Sequence, residues 1–160
     1  MEDLKAQVKD LTTTQVMNGL YIDLNIGCLN RRAFEARKSE GVTLLDVDSL
    51  KWVNDNLGHA AGDRLLRHVA ERLQNEFGND VVYRLSGDEF AIRHDIKIEY
   101  MHKLTRVAKN LGCVSFGIAG TLEEADDWLK TNKEQRLLHG HRAPRGERPA
   151  WADADWLEND

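Results

Sequence analysis

The sequence predicts an α+β fold, a mixed and largely antiparallel central sheet with helices laid around it. Three observations carry that expectation. Segments with helical and strand-like periodicity alternate along the chain, which sets helices against a sheet. The central strand pair, in "VVYRLSGDEFAIRHD" (residues 81–95), reads as a hairpin, so its strands are antiparallel and the sheet is not all parallel. At 160 residues, 41% of them hydrophobic, the chain suits one domain with its own core.

Residues 1–18 read as a helix, with Leu4, Val8 and Leu11 at helical spacing among charged neighbours. A helix of that length serves equally as a dimer stalk or as a helix packed on its own domain. "LNRRAFEARKSEG" reads as a short helix stopped by Gly41, and "VTLLDVD" as a buried strand running into acid. "SLKWVNDNLG" and "AGDRLLRHVAERLQNEFG" read as helices. In the second, Leu65, Leu66, Val69, Leu73 and Phe77 recur at three- and four-residue steps, and Gly78 stands where a C-cap belongs. The hairpin follows, with Gly87 expected to supply the positive φ of a tight loop. "IEYMHKLTRVAKNLG" is a helix, "CVSFGIAG" a strand and "LEEADDWLKTNKEQRLL" the last helix. From Gly140 the composition shifts to mixed charge and holds both prolines, the mark of a poorly ordered tail or a docked extension. Trp151 and Trp156 in it would anchor a partner or fold back on the domain. The domain division is therefore 1–20, 21–139 and 140–160.

A formal net charge of -5 argues against a nucleic-acid binder, which would show a basic face. "MEDLKAQVKDLTTTQ" is too charged for a secretory signal, and no apolar run approaches the roughly 18–20 residues that cross a bilayer. A cytoplasmic protein without membrane partners is expected. Cys28 and Cys113 stand far apart, with no CxxC or paired-His spacing, and are expected to be small apolar residues.

The carboxylates carry the chemistry. Asp46 and Asp48 end one strand, and Asp88 and Glu89 sit at the tip of a hairpin that can lie beside it. Mg²⁺ takes oxygen ligands, usually one or two carboxylates together with substrate phosphates, so convergent acids here suggest metal-dependent phosphoryl or nucleotidyl transfer.

Three motifs in order resemble the GGDEF family, the diguanylate cyclases of bacterial signalling. "RLSGDEFAI" looks like the signature R-x-G-G-D/E-E-F, with Ser86 in the first glycine slot. "LLDVDSLKWVNDNLGHAAGDRLLRHVAERL" is similar to D-x-D-x-F-K-x-x-N-D-x-x-G-H-x-x-G-D, with Leu50 for Phe. "DLNIGCLNRRAF" looks like D-x-L-T-G-L-P-N-R-R-x-F, retaining Asp23, Gly27, Asn30, Arg31, Arg32 and Phe34. The likeness thins beyond Ile92, to "VSFGIA" and "LEEADDWLK".

The resemblance implies a palm-like nucleotidyl cyclase fold that binds GTP with Mg²⁺ or Mn²⁺ and joins two GTP into cyclic di-GMP, releasing two pyrophosphates at a homodimer interface. By position it implies that Asp46, the Val47 carbonyl and Asp88 hold metal, and that Glu89 lies near the attacking 3′-hydroxyl as a base or an orienting acceptor. It implies that Asn54 and Asp63 contact guanine, whose adjacent N1–H and N2–H suit one carboxylate acceptor. Lys51, Lys133 and the amides of Ser49 and Leu50 would hold the triphosphate, next to Ser86 and Gly87. Arg136 would stand in for a family arginine after Lys133. Asn30 and Arg31 would belong to the turn supporting the hairpin and phosphates.

The departures shape the expectation further. Ser86 adds bulk where a close backbone approach is the family pattern. The product-inhibition motif R-x-x-D is matched by Phe77-Gly78-Asn79-Asp80, which lacks the arginine, so feedback through that site is expected to be lost. The stretch from Phe90 to Val114 is short for the family. With no sensory segment ahead, activity is expected to follow expression or self-association through residues 1–20. Other readings are a non-catalytic module binding GTP or cyclic di-GMP as a regulator, a partner-binding protein acting through its Trp-containing tail, and a cyclase making cyclic GMP from one GTP.

Overall fold

A computed structural model describes residues 20–158, so the helix expected over residues 1–18 lies outside the described residues. The elements in chain order are β1 (Ile22–Asp23), β2 (Cys28–Asn30), α1 (Arg31–Glu35), β3 (Gly41–Val47), α2 (Leu50–Leu57), α3 (His59–Phe77), β4 (Val82–Ser86), β5 (Glu89–His94), α4 (Ile98–Leu111), β6 (Val114–Ala119), α5 (Leu122–Leu138) and α6 (Asp155–Glu158). The six strands form one sheet in the order β1-β2-β4-β5-β3-β6, antiparallel except where β2 lies parallel to β4. The expected mixed sheet with surrounding helices is the observed one.

Strand β3 shows why helices cover both faces. All seven of its residues are buried, and successive side chains point to opposite sides. Leu45 and Val47 enter a core with Val53 of α2, Leu65, Leu66, Val69 and Leu73 of α3 and Leu104 and Val107 of α4. Val42 and Leu44 enter a second core with Phe34 of α1 and Ala125 and Leu129 of α5. Asp46, two residues after Leu44, therefore emerges on the α5 side. Helix α5 lies very close to β6, because a Cβ on Gly117 would fall 2.1 Å from the Ala125 carbonyl oxygen. The amide of Phe116 in turn donates to Asn132 Oδ1 at 2.8 Å, fixing the height of α5 over the sheet end.

Several local expectations are corrected. Helix α1 ends at Glu35, not at Gly41, which opens β3. Gly41 is required there by packing, since a Cβ would meet His94 Cε1 and Ile96 Cγ1 at 2.9 Å. Gly87 is absent from the glycines with positive φ. The hairpin instead carries a register shift: Arg84 pairs Phe90 and Ser86 pairs Glu89, leaving Leu85 as the extra residue of a bulge that takes up the twist. The Arg84 guanidinium braces the turn by donating to the Gly87 carbonyl from Nε (3.3 Å) and Nη2 (2.9 Å). Glu89 is the first residue of β5 rather than part of the turn.

Strands β1 and β2 and helix α6 are additions that periodicity did not reveal. The first two are only two and three residues long, and α6 has four. Gly78 does cap α3, with φ of +100° and its amide donating to the Gln74 carbonyl at 2.8 Å. Past α5 the chain stays on the domain. Leu157 is fully buried in the first core, Trp156 stacks on His68 with ring centroids 3.8 Å apart, and Arg64 Nε donates to the Leu157 carbonyl at 2.6 Å. Among the described residues no helix is long and apolar enough to cross a membrane.

Candidate active site

The acids meet at one end of the sheet. Asp46 and Glu89 are register partners across β3 and β5, and the amide of Val47 donates to the Asp88 carbonyl at 2.8 Å, so the hairpin tip is fastened to the end of β3 by backbone. Beyond them the chain turns sharply into α2. Ser49 makes this turn at φ 58° and ψ 24°, the one non-glycine left-handed residue among the described residues. Such a conformation is costly and persists only where surroundings enforce it. Here the enforcement comes from Asp48, whose amide donates to the Cys113 carbonyl at 2.8 Å and whose side chain is almost fully buried.

The Asp48 carboxylate is neutralised twice. Arg136 Nη1 reaches Oδ2 at 2.7 Å and Arg142 Nε reaches Oδ1 at 3.1 Å. Arg136 also donates to Ser115 Oγ (2.7 Å) and to the carbonyls of Gly112 (3.1 Å) and His141 (2.9 Å). It is thus a structural clamp under the β3–α2 turn, committed to Asp48, Ser115 and two carbonyls rather than free to stand in for the family arginine.

Above this clamp lies a cleft of about 820 Å³. Asp46, Val47, Asp88 and Glu89 line one side of it; Ser49, Leu50 and Lys51, where α2 opens, line another, and Lys133 of α5 joins them. Eight of the expected site residues therefore share one cleft. Lys133 Nζ pairs with Asp46 Oδ2 at 2.7 Å, and the exposed Lys51 with Asp55 at 2.7 Å. The Ser86 hydroxyl donates to Glu89 Oε1 in a short contact.

Four expected residues lie outside that lining. Ser86 and Gly87 face a neighbouring hollow with Asp23, Asn30, Arg31, Arg32 and Arg84, and Arg31 pairs with Glu35 at 2.9 Å. Asn54 and Asp63 sit where α2 and α3 touch. Gly62 makes that possible, since a Cβ there would fall 1.9 Å from Asn54 Oδ1, and Asp63 accepts a bond from Asn25 Nδ2 at 3.4 Å.

Burial above all, with the Asp88 charge beside it, pushes Asp46 up from 3.8 to about 6, against the opposing pull of Lys133 and Arg142. Among the described residues no three His, Cys, Asp or Glu side chains gather as a metal cluster. Of the oxygen groups on this side of the cleft, the Asp46 and Asp88 carboxylates and the Val47 carbonyl would make a hard donor set that suits Mg²⁺ or Mn²⁺ when phosphates and water complete the shell.

Sequence reading missed Arg142 and Arg145, which line the cleft from the C-terminal segment together with Ala143, Pro144 and Gly146. The available signal was the basic run "HRAPRGER" in an acidic chain. It also missed Arg84, which pairs with Asp23 at 3.0 Å and so ties the hairpin to β1.

The family model described as "Diguanylate cyclase, GGDEF domain" matches residues 10–112. The chain is 38% identical over 110 residues to diguanylate cyclase DgcN of Escherichia coli K12, covering 60% of this chain and 26% of that one. It is 36% identical over 93 residues to cyclic di-GMP phosphodiesterase PdeB of Shewanella oneidensis, covering 52% of this chain and 11% of that one. The chain thus spans about a quarter or less of these two curated relatives. Among solved structures, it is similar to a microbial GGDEF domain studied for its interaction with bis-(3,5)-cyclic di-GMP, at 29% identity and a TM-score of 0.61, covering 72% of this chain and 94% of that one. With the motifs, the likeness of fold and the family match in agreement, this chain belongs to the GGDEF-domain family.

Proposed function

We propose that the chain is a diguanylate cyclase that condenses two GTP into cyclic di-GMP, with Mg²⁺ or Mn²⁺, between two copies of itself. The observation that carries this reading is the convergence of Asp46, Asp88 and Glu89 on one cleft whose facing wall is the opening of α2 with Lys51. Asp46, Asp88 and the Val47 carbonyl would hold the metal, which when bound supplies charge neutralisation for the leaving pyrophosphate and favours ionisation of the attacking hydroxyl.

The chain's own residues do the rest. Free amides at the opening of α2, held by the Ser49 turn, face anionic phosphate oxygens, with Lys51 beside them. Lys133 has a second partner available to it in a triphosphate, having only a partly exposed ion pair with Asp46 to give up. Glu89 orients or accepts the proton of the 3′-hydroxyl whose oxygen attacks the α-phosphorus of the other nucleotide. One O–P bond forms and one α–β phosphoanhydride breaks per GTP, so two pyrophosphates leave per product. Asn54 and Asp63 accept from guanine, and adenine, lacking the adjacent donor pair, would leave them unpaired. The product-inhibition site is absent, since Phe77 stands where its arginine belongs.

Glu89→Ala tests the assignment: product formation from GTP should disappear while GTP binding stays. Loss of both together would make Glu89 a structural residue. A second reading, a regulator that binds GTP or cyclic di-GMP without turnover, is favoured by one observation, the Ser86 hydroxyl on Glu89. Under that reading Ser86→Gly, which frees the carboxylate, should create activity that the native chain lacks. A third, action on a protein partner through the tail, is weakened by the burial of Leu157 and the packing of Trp151 and Trp156 on the chain's own core.

A further inference from the structure

The C-terminal segment forms part of the cleft wall, and its construction is specific. After α5, His141 and Arg142 turn back on the helix end, with amides donating to the Arg136 carbonyl at 2.7 and 3.2 Å, and Arg142 is fixed on buried Asp48. Pro144, Arg145, Gly146 and Glu147 then make a tight turn closed by the Glu147 amide on the Pro144 carbonyl at 3.0 Å, with Gly146 at φ +84° in the third position that requires it. Pro149 is buried, Arg148 lies over the Trp52 ring at 5.5 Å, and the Trp156 stack and Leu157 hold the far end on α3. The turn is thus anchored on both sides, and Arg145 stands at its tip.

The charges around the cleft single out that residue. Of the cations lining it, Lys51 is paired with Asp55, Lys133 with Asp46 and Arg142 with Asp48. Among the described residues Arg145 makes no ion pair and no side-chain hydrogen bond. A nucleoside triphosphate brings its largest negative charge at the β- and γ-phosphates, and a guanidinium binds phosphate oxygens in bidentate fashion.

We propose that the 142–146 turn is a built part of the nucleotide site, in which Arg145 binds the distal phosphates of a nucleoside triphosphate. The inference rests on the GTP reading above and adds to it that the C-terminal segment selects triphosphate over monophosphate. Because Arg145 is exposed and uncommitted, replacing it leaves the fold intact.

The test is equilibrium binding of the α,β-methylene analogue of GTP, which cannot be cleaved at that bridge, and of GMP, each with Mg²⁺, to the full chain and to Arg145→Ala. The native chain should prefer the triphosphate. In Arg145→Ala the triphosphate should bind about tenfold or more weakly, the loss of a charge-assisted contact, with GMP affinity unchanged. Arg145→Lys should recover part of the loss at low salt only. Equal triphosphate affinity in the native chain and Arg145→Ala overturns this inference while leaving the GTP reading standing. A native chain that binds neither nucleotide overturns both.

Discussion

Removing the two arginines that hold Asp48 should have unequal effects, and the difference can be worked from the contacts. Asp48 is 1% exposed and meets Arg136 at 2.7 Å and Arg142 at 3.1 Å. Arg136→Ala also strips donors from Ser115 Oγ and from the Gly112 and His141 carbonyls. Each of those three bonds adds about 0.5–1.5 kcal/mol to the charge-assisted bond lost to Asp48, which stays paired with Arg142. Arg142→Ala leaves Asp48 paired with Arg136 and loses one charge-assisted bond, about 1.5–3 kcal/mol. Urea unfolding followed by tryptophan fluorescence should therefore separate the two variants by roughly 1 M in midpoint at unchanged slope. The double variant should cost more than the sum, because only then is the buried carboxylate left with no cation. If the two single variants unfold together, or Arg136→Ala costs less than about 1 kcal/mol, then Arg136 is not the clamp described above.

Two further outcomes follow from burial. Leu157→Ala, at a fully buried position 19 residues past α5, should cost about 2–5 kcal/mol in thermal or urea unfolding; a cost near zero would mean that the segment is not docked. The Asp46 carboxyl, raised to about 6, holds its proton more tightly in the folded chain than in the unfolded one. Folding then takes up a proton between about pH 4 and 6, and the native state loses stability as pH rises through that window. Without divalent metal, Asp46→Asn should gain on the native chain across it, by at most about 1.4 kcal/mol per pH unit, and run parallel above it. Curves parallel from pH 4 upward would show that Asp46 is not destabilised by its surroundings.

The sequence made long, periodic elements legible. The stripe of Leu65, Leu66, Val69 and Leu73 marks α3, and its Gly78 cap is where composition places it. The acids were legible as a group because strand ends and a hairpin tip naturally share a sheet edge, and Asp46, Asp88 and Glu89 do line one cleft. What escaped was set by tertiary contact. The hairpin turn is held by a bulge at Leu85 and the Arg84 side chain rather than by a positive φ at Gly87. Gly41 and Gly62 are needed for the close approach of His94 and Asn54, neither visible in a linear pattern. The C-terminal segment, polar and rich in arginine, gave no periodic signal because its anchors are a buried ion pair, a ring stack and one leucine.

Whether the chain joins two GTP molecules is decided by one incubation. Purified chain at several concentrations is given GTP with Mg²⁺, and separately ATP with Mg²⁺, and the products are resolved by chromatography and mass. Cyclic di-GMP should form from GTP alone, at a rate that rises more steeply than protein concentration because two copies must meet. Unchanged GTP that nonetheless binds tightly, or cyclic GMP in place of the dinucleotide, would contradict the diguanylate cyclase reading.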